Sequence, residues 1–77
     1  MVTRRVSLEG ALKTESCLAM VSHFARRLSL SSTVTSATPS YITLILTGDE
    51  RLIDMFEIAC WLGPDDVNID TITLETV

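Results

Sequence analysis

The residues best suited to nucleophilic or metal chemistry are few, and their spacing fits no common site. Cys17 and His23 are six positions apart, so they do not share one helical face at adjacent turns and make a poor nucleophile–base pair. His23 has no cysteine or carboxylate at ligand spacing, and we interpret it as a partly exposed helix residue. Asp65 and Asp66 lack a third carboxylate, which argues against calcium. We therefore expect no metal and no cofactor.

The two cysteines and two of the serines also have structural interpretations. Cys17 and Cys60 lack the spacing of metal ligands, and each falls on an apolar helix face, which is typical of a buried thiol. Ser16 and Ser36 are interpreted as caps or polar fillers. The N-terminal residues 1–5 carry positive charge but no apolar segment follows them, so we interpret the protein as cytoplasmic, and a reducing compartment keeps such cysteines as thiols.

Composition limits the classes of function. A chain of 77 residues predicts a single domain over residues 1–77. The net charge of −4 and the 5% aromatic content argue against nucleic acid and anionic membrane surfaces as partners. No apolar run approaches the ~18 residues that a membrane span needs.

Hydrophobic periodicity predicts six elements. Alternating patterns indicate strands at residues 3–9, 33–36, 41–47 and 67–74, and helical patterns indicate helices at 15–28 and 50–62. Thr14 and Asp49 are the predicted N-caps, and Gly63 the predicted C-terminal stop. The last strand changes phase, which predicts a bulge near Asp70 and Thr71.

Two apolar stripes predict the inner faces of the helices. The first comprises Leu18, Val21, Ala25 and Leu28, and the second comprises Leu52, Met55, Phe56, Ala59 and Leu62. Together with the strands they predict one core, which contains Leu18, Val21, Phe24, Leu44, Leu46, Phe56 and Ile69.

The order β-α-β-β-α-β predicts an α+β, ferredoxin-like sandwich. In this fold, four antiparallel strands lie in the order 4-1-3-2, with both helices on one face. The other face of the sheet is expected to be rich in threonine and open to water.

At this point the sequence resembles the acylphosphatase family over almost its whole length. Glu9-Gly10 is similar to the glycine that precedes that family's phosphate loop. Leu28-Ser29-Leu30 and the following Thr33-Val34 are similar to its Leu-Gly-Leu and Gly-Thr-Val segments. Gly48, Phe56, Leu62-Gly63-Pro64 and Val67-x-Ile69-Asp70-x-Ile72 follow in register.

The resemblance implies a phosphate loop, but the residues that bind phosphate and orient water in that family are not kept in this sequence. The corresponding region contains Lys13, Thr14, Glu15, Ser16 and Cys17, in which Thr14 and Ser16 replace loop glycines of the family. Leu18 occupies the position of the family's phosphate-binding arginine, and Ser36 that of the asparagine that orients the attacking water. Glu15 adds negative charge where a phosphate would bind. We therefore assign no catalytic residue.

Three functions remain open. The first is a catalytically degenerate acylphosphatase-like domain that acts by protein–protein interaction or self-assembly. The second is a hydrolase that cleaves acyl phosphates through an altered site, and the third is a small-molecule-binding regulatory module. For the first, we expect a homodimer or protein partner to bind at the sheet edges or at the Arg pole. The Arg pole denotes the end of the fold expected to hold Arg4, Arg5, Arg26, Arg27 and Arg51, with Arg4, Arg26 and Arg27 as candidate contacts.

Overall fold

The computed structural model describes residues 1–77 and contains the six predicted elements in the predicted order. They are β1 (Val2–Ala11), α1 (Thr14–Arg27), β2 (Ser31–Ala37), β3 (Tyr41–Gly48), α2 (Glu50–Leu62) and β4 (Asn68–Thr76). Neither helix is long and apolar enough to cross a membrane.

The four strands form one antiparallel sheet in the order β2-β3-β1-β4. Read from the other edge, this is the predicted order 4-1-3-2, so the ferredoxin-like topology is confirmed. The strand β1 lies between β3 and β4, and the strands β2 and β4 are the two edges.

The core lies between the helices and one face of the sheet. Fifteen buried apolar residues form a single cluster, and the predicted Val21, Leu44, Leu46 and Phe56 belong to it. The other three predicted core residues, Leu18, Phe24 and Ile69, are only partly buried and pack against its margin. Further members are Val6, Leu8, Leu12, Cys17, Met20, Ala25, Leu30, Ile42, Ile53, Cys60 and Val67.

The prediction of which face of α2 packs against the sheet was wrong, because the helix is rotated about its axis relative to that prediction. Phe56 is fully buried as expected, but Ile53 and Cys60 accompany it, whereas Met55 is 52% exposed and Leu62 80% exposed. The helix carries apolar side chains on both of its long faces, so two rotations satisfy helical spacing. Packing against the sheet, which the sequence pattern does not contain, selects between them.

A bulge in β4 accounts for its change of phase. Glu9 pairs with Thr71 and Gly10 with Ile69, which leaves Asp70 without a partner on β1. This confirms the predicted bulge. Gly10 has φ 149°, and a Cβ there would lie 2.1 Å from the carbonyl oxygen of Asn68. The bulge therefore requires glycine at position 10 on steric grounds alone, whatever chemistry the loop performs.

A Schellman motif ends α1. The Leu30 N–H donates to the Ala25 carbonyl at 2.8 Å, and the Ser29 N–H donates to the Arg26 carbonyl at 3.2 Å. Ser29 adopts the left-handed conformation with φ 55°, and the residue at this position of a Schellman motif is usually glycine. Leu30 then turns inward and contacts Gly48, which joins the end of α1 to the end of β3.

We expect Leu44→Ala to destabilise the fold by about 2–5 kcal/mol, because Leu44 is completely buried at the centre of β3. Chemical denaturation followed by circular dichroism measures the change. Leu62→Ala is the matched control and should cost less than ~0.5 kcal/mol, since Leu62 is 80% exposed. A loss below half a kcal/mol at Leu44 would contradict the assignment of strand faces.

We expect Ser29→Gly to stabilise the fold by about 1 kcal/mol, because glycine adopts the left-handed conformation without the steric cost that a Cβ carries. Ser22→Gly, in the exposed middle of α1, is the matched control and should destabilise by about 0.5 kcal/mol. Shifts of the same sign at both positions in a thermal melt would count against the left-handed assignment.

Candidate functional site

The loop that corresponds to the family's phosphate loop is short and begins α1 directly. Only Leu12 and Lys13 separate β1 from α1. The Leu12 N–H donates to the Pro39 carbonyl at 2.9 Å, so this part of the loop is bonded to the β2–β3 turn. The buried side chain of Leu12 anchors the loop to the core. The loop is therefore a fixed connection packed against its neighbours.

The predicted N-cap at Thr14 was wrong by one residue. Lys13 occupies the cap position in a left-handed conformation, φ 49° and ψ 82°, and no side chain caps the helix. A lysine has no short side-chain oxygen to accept the first N–H groups. The first turn of α1 consequently presents N–H groups without intrahelical partners, which is the property of an anion-binding helix end.

Carboxylates already surround this helix end. Glu15 lies in its first turn, and the Asp66 carboxylate accepts a 2.6 Å hydrogen bond from the Ser16 hydroxyl. A cleft of about 290 Å³ lies between the loop and the start of β4, lined by Ala11, Leu12, Lys13, Pro39, Asp66 and Asn68. Lys13 is the one cation at this cleft. Negative charge on Glu15 and Asp66 opposes the binding of a phosphate there.

Leu18 and Ser36, the positions at which the sequence resemblance places the family's arginine and asparagine, do not form a polar site. Leu18 is half-buried on α1 and packs against the core, where its apolar side chain is well suited. Ser36 pairs with Thr43, which alternates with the buried Ile42 and Leu44 and therefore faces away from the helices. The Ser36 register position thus lies on the opposite side of the sheet from Leu18. A bulge at Thr35 produces this register.

Cys17, the last residue of the loop region, is buried, as is Cys60 on α2. Burial raises the pKa of the Cys17 thiol. Burial, together with the nearby Cys17 and Glu57, raises the pKa of Cys60 to about 12. Both remain protonated thiols at neutral pH, which makes them poor nucleophiles and poor metal ligands. The prediction of buried thiols is confirmed.

A second groove, of about 550 Å³, runs between α1 and the end of α2. Its lining includes Ser16, Met20, His23, Phe24 and Pro64. The exposed His23 ring lies 5.6 Å from the Phe24 ring, centre to centre, at 58°. No acidic residue lines the groove, so His23 has no carboxylate to orient it as a general base. Nowhere in the chain do three histidine, cysteine or acidic side chains cluster as metal ligands.

The Arg pole does not present five free guanidinium groups. Arg4 pairs with Glu50 at 3.5 Å, and Arg51 pairs with Asp49 at 3.6 Å. Arg5 pairs in register with Ile45, on the face of the sheet away from the helices. Arg26 and Arg27 remain exposed in the last turn of α1, where they complement the negative end of the helix dipole.

The confirmed N-cap of α2 lies at the same end of the fold. The Asp49 carboxylate accepts the Arg51 N–H at 2.9 Å. This bond, supported by the Arg51 guanidinium, lowers the pKa of Asp49. Asp49 and Arg51 therefore pair with each other, while Glu50 pairs with Arg4 of β1.

One functional candidate was missed by the sequence analysis. Met55, Ile58, Trp61 and Leu62 form an exposed apolar surface along α2, which we call the α2 outer face. The sequence signal was present, since α2 has more apolar residues than one buried stripe needs. It was hidden because Met55 and Leu62 were placed in the core.

Comparison with known proteins identifies the fold. No family model matches the sequence, and no curated protein matches it. Several solved structures match this one, and two acylphosphatases among them match over nearly the whole chain. An acylphosphatase from Bacillus subtilis superposes with a TM-score of 0.88 at 17% identity, covering 100% of this chain and 86% of that one. An acylphosphatase from Coxiella burnetii gives 0.80 at 20% identity, covering 99% and 80%.

The chain has the acylphosphatase fold. The resemblance inferred from Glu9-Gly10, Leu28-Ser29-Leu30 and the later segments is thus confirmed at the level of structure. At 17–20% identity the likeness concerns the backbone. The chemistry must be argued from the side chains at the loop.

We expect both thiols to resist modification by a disulfide reagent such as DTNB at pH 8, because burial blocks access and disfavours the thiolate. In denaturant, both of the two cysteines should react. A Ser22→Cys variant, with its new thiol exposed on α1, is the positive control and should react at once. Rapid reaction of Cys17 or Cys60 in the folded protein would contradict the burial described here.

Proposed function

We propose that this chain is a catalytically degenerate domain with the acylphosphatase fold, which acts through protein contacts, including contacts between its own copies. The observation that carries the proposal is Leu18, an aliphatic side chain packed on the core at the position where the resemblance implies the phosphate-binding arginine. An aliphatic group can neither bind a phosphoryl oxygen nor stabilise its developing charge.

No other cation can take over this role. The exposed pair Arg26 and Arg27 ends a 14-residue helix, so it lies about 20 Å from the loop. Arg4 is engaged with Glu50 at the same distant end. Lys13 remains, as a single point charge facing Glu15 and Asp66, whereas bidentate binding of phosphate requires a guanidinium fork.

The alternative function, acyl phosphate hydrolysis through an altered site, depends on the same geometry. It would have to use Lys13 and the unpartnered N–H groups of the first turn of α1. This makes Lys13 the residue whose removal separates the two functions.

We expect no hydrolysis of benzoyl phosphate above the rate in buffer, with the acylphosphatase from Bacillus subtilis assayed in parallel as a positive control. Lys13→Ala should leave the measured rate unchanged, and circular dichroism would verify its fold. Turnover at an ordinary enzymatic rate, about 1 per second or faster, that is lost in Lys13→Ala would establish the alternative.

Two of the surfaces expected for protein contacts have unequal support. All seven residues of β2 are exposed, and no charged residue interrupts positions 31 to 40, so this edge could accept an extended segment from a protein partner. The bulge at Thr35 is a partial guard against such pairing. At the Arg pole only Arg26 and Arg27 offer unpaired charge on the helical side.

The buried, unlinked thiols support a cytoplasmic location.

A further inference from the structure

One five-residue pattern occurs twice in this chain, as Arg4-Arg5-Val6-Ser7-Leu8 and as Arg26-Arg27-Leu28-Ser29-Leu30. Each segment places arginines three and two positions before a serine and a leucine directly after it. No other serine or threonine in the chain follows two arginines in this way. Basophilic protein kinases select serines by these features, because acidic residues of the kinase pair with the two guanidinium groups and an apolar pocket accepts the next side chain.

The first of these serines is closed off by the fold. The strand β1 is paired on both sides, so Ser7 lies in register with Thr43 of β3 and with Thr73 of β4. Ser7 is only 6% exposed, and the Tyr41 hydroxyl donates to its hydroxyl at 3.4 Å. A kinase that binds its substrate as an extended segment could reach Ser7 only after the sheet had come apart.

The second serine lies at the surface. Ser29 follows the last turn of α1 and is exposed, as are Arg26 and Arg27 in that turn. The two ion pairs of the chain involve Arg4 and Arg51 instead. Both arginines that precede Ser29 are therefore available to the acidic residues of a kinase.

A local opening at the end of α1 is sufficient to present Ser29. The N–H groups of residues 28, 29 and 30 donate to carbonyls of α1, and the Leu30 side chain is buried, so these contacts must be released. The left-handed conformation of Ser29, φ 55°, is strained for a residue with a side chain, and opening relieves that strain. Helix ends open at a much smaller free-energy cost than central strands.

We propose that Ser29 is a phosphorylation site for a basophilic serine kinase, and that the fold excludes Ser7 although it has the same flanking residues. In the reaction, the Ser29 Oγ attacks the γ-phosphorus of ATP. The Oγ–P bond forms, and the bond from that phosphorus to the oxygen bridging the β- and γ-phosphates breaks. ADP leaves with that oxygen, and the hydroxyl proton passes to the catalytic aspartate of the kinase.

Phosphorylation changes the charge of the Arg pole. A phosphoserine carries a charge of about −1.5 to −2 at pH 7, which offsets the positive charges of Arg26 and Arg27. Both guanidinium groups can then pair with the phosphate instead of with an acidic partner. This consequence rests on the proposed function, but the modification itself does not, and it is also independent of acyl phosphate hydrolysis.

The catalytic subunit of the cAMP-dependent protein kinase, supplied with Mg²⁺ and ATP, is a suitable basophilic probe. It should transfer one phosphoryl group to each folded chain, which intact mass spectrometry counts and peptide fragmentation locates at Ser29. Ser29→Ala should abolish the transfer, whereas Ser7→Ala should leave its rate unchanged. Circular dichroism would verify that both variants are folded.

Two arginine variants test recognition by charge. Arg26→Gln should lower kcat/KM for the transfer by about tenfold or more, because it removes one ion pair with the kinase. Arg51→Gln is the matched control, since Arg51 lies at the same end of the fold but outside the pattern, and its rate should be unchanged. The Asp49 cap bonds the backbone N–H of residue 51, so α2 should keep its start in this variant.

The destabilised variant Leu44→Ala tests the exclusion of Ser7 by the fold. The loss of stability expected for this variant should raise the rate of phosphorylation at Ser7 by about 30-fold or more, because the unfolded chain becomes more populated. No transfer to Ser29 in the folded chain, or an undiminished rate in Arg26→Gln, would overturn the assignment of the site. Equal rates at Ser7 and Ser29 in the folded chain, or no increase at Ser7 in Leu44→Ala, would overturn the role given to the fold.

Discussion

The close approach of β1 and β4 at Gly10 is the constraint on which the rest of the fold depends. A side chain at this position would collide with the carbonyl of Asn68, and its absence lets β4 bulge at Asp70. The bulge turns Ile69 to the same side as Ile72 and Leu74, so both halves of β4 pack against the core, and Val67, just before the strand, is buried in it. Without it, one half of the strand would turn its apolar side chains to water.

The strands were predictable because their signals are local. Alternation along β3 assigned Ile42, Leu44 and Leu46 to one face, and the structure buries all three. The phase change of β4 was equally readable, since a break in alternation has few explanations other than a bulge. In both strands, apolar residues alternate along the sequence with the same two-residue period at which side chains alternate between the faces of the sheet.

The errors occur where several structures satisfy one pattern. The helix α2 carries apolar residues around most of its circumference, so its rotation depends on the shape of the sheet beneath it. The start of α1 depends on the left-handed conformation of Lys13, a residue type that gives no warning of it. At the candidate site, the sequence showed that Leu18 and Ser36 lack catalytic side chains. It did not predict that Ser36 would face away from the helices, because this depends on the bulge at Thr35.

The pairing of the first strand with the last also has a consequence for how the protein is made. The central strand β1 (Val2–Ala11) is synthesised first, but one of its two neighbours is β4 (Asn68–Thr76). Until that segment leaves the ribosome, one side of β1 has unpaired backbone groups and the core lacks Val67 and Ile69. A nascent chain can form the helices and the β2–β3 hairpin early, but it closes its sheet only after residues 68–76 have been translated. Closure of the sheet, which completes the core, is therefore a late event in the synthesis of this domain.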